Sequence, residues 1–180
     1  MEYEIIGRTQ FYQGKIFNLQ KVQVRLPDGR EPTYEMVEHP GAVAMIPLDS
    51  EGNILFVRQF RAGVGGELLE IPAGTLHAGE DPALCADREL REEIGMAARD
   101  MRKLAQFYLA PGYSSELLHI FLAADLYPSS LNMDADEYLH IVPIPVDRAY
   151  AMAAAGELHD GKTLAALLLA QPLLQGSAGT

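Results

Sequence analysis

The chain has 180 residues, a formal net charge of −11 and an apolar fraction of 48%. That length suits one domain with a sizeable core and a short N-terminal extension. The acidic balance excludes broad contact with nucleic acid or an anionic membrane, no apolar run reaches the roughly 18 residues of a membrane-crossing helix, and MEYEIIGRTQ lacks the basic-then-apolar pattern of a secretory leader.

In chain order, YEIIGRTQFY and KIFNLQKVQVRL are rich in β-branched and aromatic residues, and Asp28-Gly29 marks a hairpin before EPTYEMVEH. An antiparallel β-extension is expected over residues 1–39, ahead of a main domain at 40–175 and a frayed tail at 176–180. GAVAMIPL and NILFVRQF are continuous apolar runs on either side of the turn Asp49-Ser50-Glu51-Gly52. They predict central strands of a sheet covered on both faces. Arg58 and Arg61 bracket the end of the second run. Guanidinium pairs with phosphate oxygens in a bidentate way, so both are candidate phosphate clamps; solvated strand-end arginines are the alternative. ELLEIP then predicts a strand that delivers the chain into Ala73-Gly74.

From Gly74 to Met96 the pattern turns helical. Asp81 suits an N-cap, Pro82 the first helical position, and Gly95 the left-handed residue that closes a helix. On a wheel of about 100° per residue, Ala83, Ala86, Leu90 and Ile94 share one arc, Glu89, Glu92 and Glu93 fall beside it, and Arg88 and Arg91 point away. Three acids at this spacing repel one another unless a cation joins them. Their hard oxygens suit Mg²⁺ or Mn²⁺. Glu89 and Glu93 are one turn apart and best placed to share an ion, Glu92 adds a further ligand, and Arg88 is expected to orient Glu80. Cys85, the single cysteine, has no partner for an internal disulfide and reads as a small buried group whose thiolate the nearby acids disfavour.

Beyond the helix, RKLAQFYLA predicts a strand, Pro111 to Glu116 a turn, and LLHIFLAA a buried strand. YPSSLNMDADEYLHIVPIP offers an acidic loop, with Asp134, Asp136 and Glu137, before another strand. Asp147 is expected to cap a helix through Ala155 that Gly156 ends. Asp160-Gly161-Lys162-Thr163 leads into a last apolar helix, TLAALLLAQPLL, interrupted at Pro172. Strands mixed with a few helices point to an α/β class, an α/β/α sandwich around a mixed sheet.

Gly74, five residues, Glu80, seven residues, Arg88, Glu89, Leu90, any residue, Glu92, Glu93, any residue, Gly95 and Met96 together resemble the Nudix box of the Nudix hydrolases. The resemblance implies a loop, helix, loop element that binds divalent metal and hydrolyses a nucleoside diphosphate linked to another group. It implies metal ligation by Glu89, Glu92, Glu93 and the Ala73 carbonyl, catalysis by Glu93 and Glu92, and structural roles for Gly74, Glu80, Arg88 and Gly95. The run LEIPAG before the box, Gln59-Phe60-Arg61, and Pro111 fifteen residues after Met96 resemble the ADP-ribose pyrophosphatase subgroup. By that similarity Arg61 is favoured over Arg58 as a substrate contact, Glu70 lies near the substrate, with an outward-facing strand residue as the alternative, Glu116 lies near metals or phosphates, and Glu137 is the general base, with the other loop acids or a box glutamate as alternatives.

The expected activity is metal-dependent cleavage of ADP-ribose to AMP and ribose 5-phosphate. GDP-mannose or another ADP-sugar is the alternative substrate, and a non-hydrolytic nucleotide-sugar sensor the alternative class. Base recognition calls for an aromatic face, for which Phe11, Tyr12, Phe17 and Tyr113 are available. Bound cations and local arginines must reverse the field of an acidic chain before it accepts an anionic substrate. The chain is expected to be cytoplasmic, and the resemblance implies a homodimer built on the N-terminal sheet.

Overall fold

Residues 4–38 form a three-stranded antiparallel meander in the computed structural model, which describes residues 2–132 and 138–175. Its strands are β1 (Glu4–Gln13), β2 (Asn18–Arg25) and β3 (Thr33–Glu38). Gly29 turns the second hairpin at a φ of +86°, which a residue with a Cβ rarely adopts, and its N–H bonds to the Leu26 carbonyl at 2.9 Å.

The next strands, β4 (Ala42–Pro47) and β5 (Asn53–Arg61), are both central, but of different sheets. The sequence predicts one sheet; the Asp49 to Gly52 turn instead hands the chain from one sheet to the other. The reason lies in the strand edges. β4 is bordered by β7 (Ala73–Thr75) antiparallel and by β9 (Leu117–Pro128) parallel, with β8 (Met96–Tyr108) antiparallel beyond β9. β5 is bordered by β6 (Gly66–Glu70) and β10 (Leu139–Pro145), both antiparallel. With both edges of each strand filled, the two share no hydrogen-bonded ladder among the described residues; an isolated bridge joins Leu48 and Ile54 at the turn, and otherwise they meet through side chains.

Alternation along these strands divides the interior into two cores. Ala42, Ala44 and Ile46 of β4, Ile54 and Phe56 of β5, and Leu118 and Ile120 of β9 pack with Ala166, Leu167 and Ala170 of α3 (Gly161–Leu174) and Ala149 of α2 (Val146–Ala154). The intervening residues Val43, Met45, Leu55, Val57, Phe121 and Ala123 face Cys85, Ala86, Leu90 and Ile94 of α1 (Pro82–Glu93). Helices thus cover both outer faces of the β layers, one of which is a mixed sheet, as the α/β/α reading predicts.

Helix α1 has its expected ends: the Asp81 side chain accepts from Ala83 N and Leu84 N, and Gly95 follows at a φ of +67°. Ala83 shares the apolar arc yet is exposed, because the first turn projects beyond the core. Pro145, not Asp147, is the N-cap of α2, and Asp147 lies in its first turn. A preceding proline already imposes the extended entry that a capping side chain would otherwise secure. Helix α3 also differs from expectation in running through Pro172 to Leu174. That proline falls in the last turn, where few backbone bonds remain to be lost. Among the described residues no helix is long and apolar enough to cross a membrane.

Phe56 has no exposed surface and fills the core under α3. Phe56→Ala should lower stability by about 3–5 kcal/mol, read as a reduced urea midpoint at unchanged slope.

Candidate functional site

β7 is a three-residue edge strand whose only length is Ala73, Gly74 and Thr75, and α1 crosses directly behind it. A Cβ built on Gly74 would lie 1.8 Å from Glu89 Cδ, so only glycine lets the Glu89 carboxylate rest on the strand. One residue earlier, Ala73 N donates to Glu93 Oε2 at 3.1 Å. Two acids of the helix are thereby seated against backbone, and both are more than nine-tenths buried.

Arg88 joins the rest. Its Nε and Nη2 donate to the two oxygens of Glu80 at 3.0 Å each, and Nη1 donates to Glu89 Oε1 at 2.7 Å and Glu92 Oε2 at 2.9 Å. Nη2 also reaches the Thr75 carbonyl at 3.3 Å. The helical wheel directs Arg88 away from the acids; its long side chain instead lies back among them, because the 75–80 loop returns over the helix and offers acceptors there. Hydrogen bonds from Arg88 outweigh partial burial and hold the Glu80 carboxyl at about 2, against an ordinary 4.5. The Cys85 thiol is pushed up to about 12, chiefly by burial, with Glu80 and Glu89 adding and Arg88 opposing. It stays protonated and packs as an apolar group.

Three carboxylates, Glu80, Glu89 and Glu92, surround this guanidinium, and Glu93 lies on the neighbouring backbone N–H of Ala73. Among the described residues no three acidic, histidine or cysteine side chains already converge on a metal-ligand geometry. Glu89 and Glu92 are turned to Arg88 and Glu93 to Ala73 N. The donor chemistry nonetheless fits a hard divalent cation: carboxylate oxygens on a rigid helix, two of them desolvated, with the Gly74 cradle holding one in place.

Two clefts meet here. The larger, of about 1000 Å³, is bounded by Phe17, Asn18 and His39 on one side and by Gly74, Arg88, Glu89 and Glu92 on the other. The smaller, of about 440 Å³, is bounded by Glu70, Glu116 and Lys162, and both share Arg61, Ala73, Gly74 and Thr75. Arg61 stands at the junction, where its Nε and Nη2 each donate to Glu70 at 2.8 Å. Burial works against the ionised Glu70, but Arg61 and Lys162 overcome it and its pKa is lowered.

Alternation on β5 puts Arg58 and Phe60 on the face opposite Gln59 and Arg61, and Arg58 borders neither cleft. Of the four aromatic candidates Phe17 lines the larger of these two clefts; Phe11, Tyr12 and Tyr113 line neither of them. Glu137, with Asp134 and Asp136, lies outside the described residues. Lys162 and Asp160 went unnoticed in the sequence as site residues. The one local signal was Asp160 as a cap, since Lys162 meets Glu70 across 92 positions of chain.

Glu80 has a depressed folded-state pKa, so its contribution to stability is complete above the ordinary value of 4.5 and disappears as pH falls toward about 2. Glu80→Gln should lower the urea midpoint at neutral pH and flatten its decline across that acid window, compared with the parent protein titrated alongside.

The NUDIX domain profile matches residues 38–167. The chain is 37% identical over 169 residues to ADP-ribose pyrophosphatase of Bacillus subtilis (strain 168), covering 93% of this chain and 91% of that protein. It is 38% identical over 182 residues to ADP-ribose pyrophosphatase of Mycobacterium tuberculosis (strain ATCC 25618 / H37Rv), covering 98% and 87%. A crystal structure of an ADP compounds hydrolase superposes with a TM-score of 0.85 at 26% identity, over 99% of this chain and 97% of the other. The family profile spans most of the chain, and the acid-lined turn it includes is built as described above: this protein belongs to the NUDIX family.

Proposed function

We propose that this protein hydrolyses the phosphoanhydride of ADP-ribose, with AMP and ribose 5-phosphate as products. The observation that carries the reading is the two-lobed cleft pinched at β7, with the acids of α1 at its floor and Arg61 at the junction. A nucleoside has room in the larger lobe, where Phe17 offers a face for the base, and a ribose phosphate in the smaller one, which leaves the diphosphate over Gly74. The two relatives above carry the name of this activity.

The Ala73 carbonyl and Glu89, Glu92 and Glu93 are the groups that would hold Mg²⁺ or Mn²⁺. When bound, such an ion supplies charge neutralisation at the diphosphate oxygens and lowers the pKa of a coordinated water. Arg61 contributes a planar, bidentate clamp for a phosphate oxygen pair. Arg88 and Glu80 keep the helix acids and the preceding loop in register. Removal of a proton from the attacking water is assigned to Glu137 on sequence resemblance. Tyr3, Ile5, Phe11, Tyr12 and Ile16 expose apolar surface on and beside the N-terminal meander, which supports a homodimer formed through it.

Incubating a panel of nucleoside diphosphate sugars with Mg²⁺ and identifying products by mass should give AMP from ADP-ribose at the highest kcat/KM, with GDP-mannose and other ADP-sugars behind. Release of no nucleoside monophosphate from any of them would show a binding protein instead. Glu93→Gln and Gly74→Ala, the latter displacing the Glu89 carboxylate, should each cut kcat by roughly a hundredfold or more while the circular dichroism spectrum is preserved. Near-parental turnover in folded Glu93→Gln removes that residue from the chemistry.

A further inference from the structure

Glu70 is 1% exposed, and its carboxylate is met by two cations. Arg61 occupies both of its oxygens from the cleft side, and Lys162 Nζ donates to Oε2 from the start of α3. Lys162 donates in addition to Asp160 Oδ2 at 2.9 Å. Asp160 caps α3, accepting from Thr163 N at 3.0 Å and from Thr163 Oγ1 at 2.5 Å, while Thr163 Oγ1 accepts from Ile71 N at 3.0 Å. The end of β6 and the first turn of α3 are therefore one hydrogen-bonded unit.

The two cations are not equivalent. The Arg61 side chain is 40% exposed and borders both clefts, whereas that of Lys162 is 12% exposed and held between two carboxylates. Before substrate binds, the bidentate Arg61 pair alone would satisfy Glu70. A second cation becomes necessary only when the first departs, since a buried carboxylate stripped of its partner is strongly unfavourable. We propose that Lys162 is a positioning residue: it keeps Glu70 neutralised, so that Arg61 can leave that carboxylate and pair with a phosphate oxygen of the substrate. The inference rests on the phosphoanhydride reading above. Glu70 acts here as a parking site for the guanidinium, and Lys162 sets how easily it is vacated.

The test is steady-state kinetics with ADP-ribose and Mg²⁺ for the parent, Lys162→Met, Lys162→Arg, Glu70→Gln and the double variant Glu70→Gln/Lys162→Met. Lys162→Met should raise KM roughly ten- to a hundredfold with kcat held within about threefold, and Lys162→Arg should restore most of the loss. In the Glu70→Gln background residue 70 carries no charge to be compensated, and Asp160 keeps its bonds from Thr163 N and Oγ1, so adding Lys162→Met should change KM by less than about twofold. If Lys162→Met does not fold, Lys162→Gln takes its place with the same expected pattern. An unchanged KM in an active enzyme overturns this inference alone. So does an equal rise in the Glu70→Gln background, which would mean that Lys162 acts independently of Glu70. A parent protein that releases no AMP overturns the substrate reading together with it.

Discussion

The site depends on one guanidinium placed among acids that would otherwise repel one another. Arg88 bonds to Glu80, Glu89, Glu92 and the Thr75 carbonyl, so one side chain ties the loop before α1 to the helix itself. Neutral donors would not offset like charges at helical spacing. A lysine would supply the charge but not the planar fork that meets Glu80 through two nitrogens and the helix acids through a third. The low pKa of Glu80 follows from this fork, whereas that of Cys85 is raised chiefly by burial, against the pull of Arg88.

The balance of charge then varies across the cleft. Around Arg88 the carboxylates outnumber the cation, in a chain that already carries a net charge of −11. Around Glu70 the cations outnumber the buried carboxylate they meet, although Asp160 shares Lys162. A ligand that combines a polyanion with bound cations suits that division, because each of its charges finds the opposite sign in one lobe or the other. Gly74 sits between the two regions and is constrained from one side by Glu89 and from the other by its pairing with Val43 of β4.

Backbone contacts carry this geometry into the two cores. β4 sends alternate residues into each, holds β7 along one edge and β9 along the other, and so sets Ala73 to Thr75 at a defined height above α1. The helix that bears the acids buries Cys85, Ala86, Leu90 and Ile94 against the same strand layer. Chemistry and packing consequently share a helix, with the polar and apolar stripes about a third of a turn apart.

Much of this was legible along the chain because it depends on short-range rules. Strand runs, the Asp81 cap, the Gly95 stop and the spacing of Glu89, Glu92 and Glu93 are set by backbone sterics and side-chain periodicity within a few residues. Where local rules compete, the reading failed: Asp147 yielded its cap to Pro145, and Pro172 left α3 unbroken because it falls so near the end. Partition of β4 and β5 between two sheets, the return of Arg88 to the acids, and the meeting of Lys162 with Glu70 were decided by tertiary structure. Each depends on which strand edges and which loops are already occupied. That is a property of the packed whole, and residues 92 positions apart carry no local sign that they will share a charge.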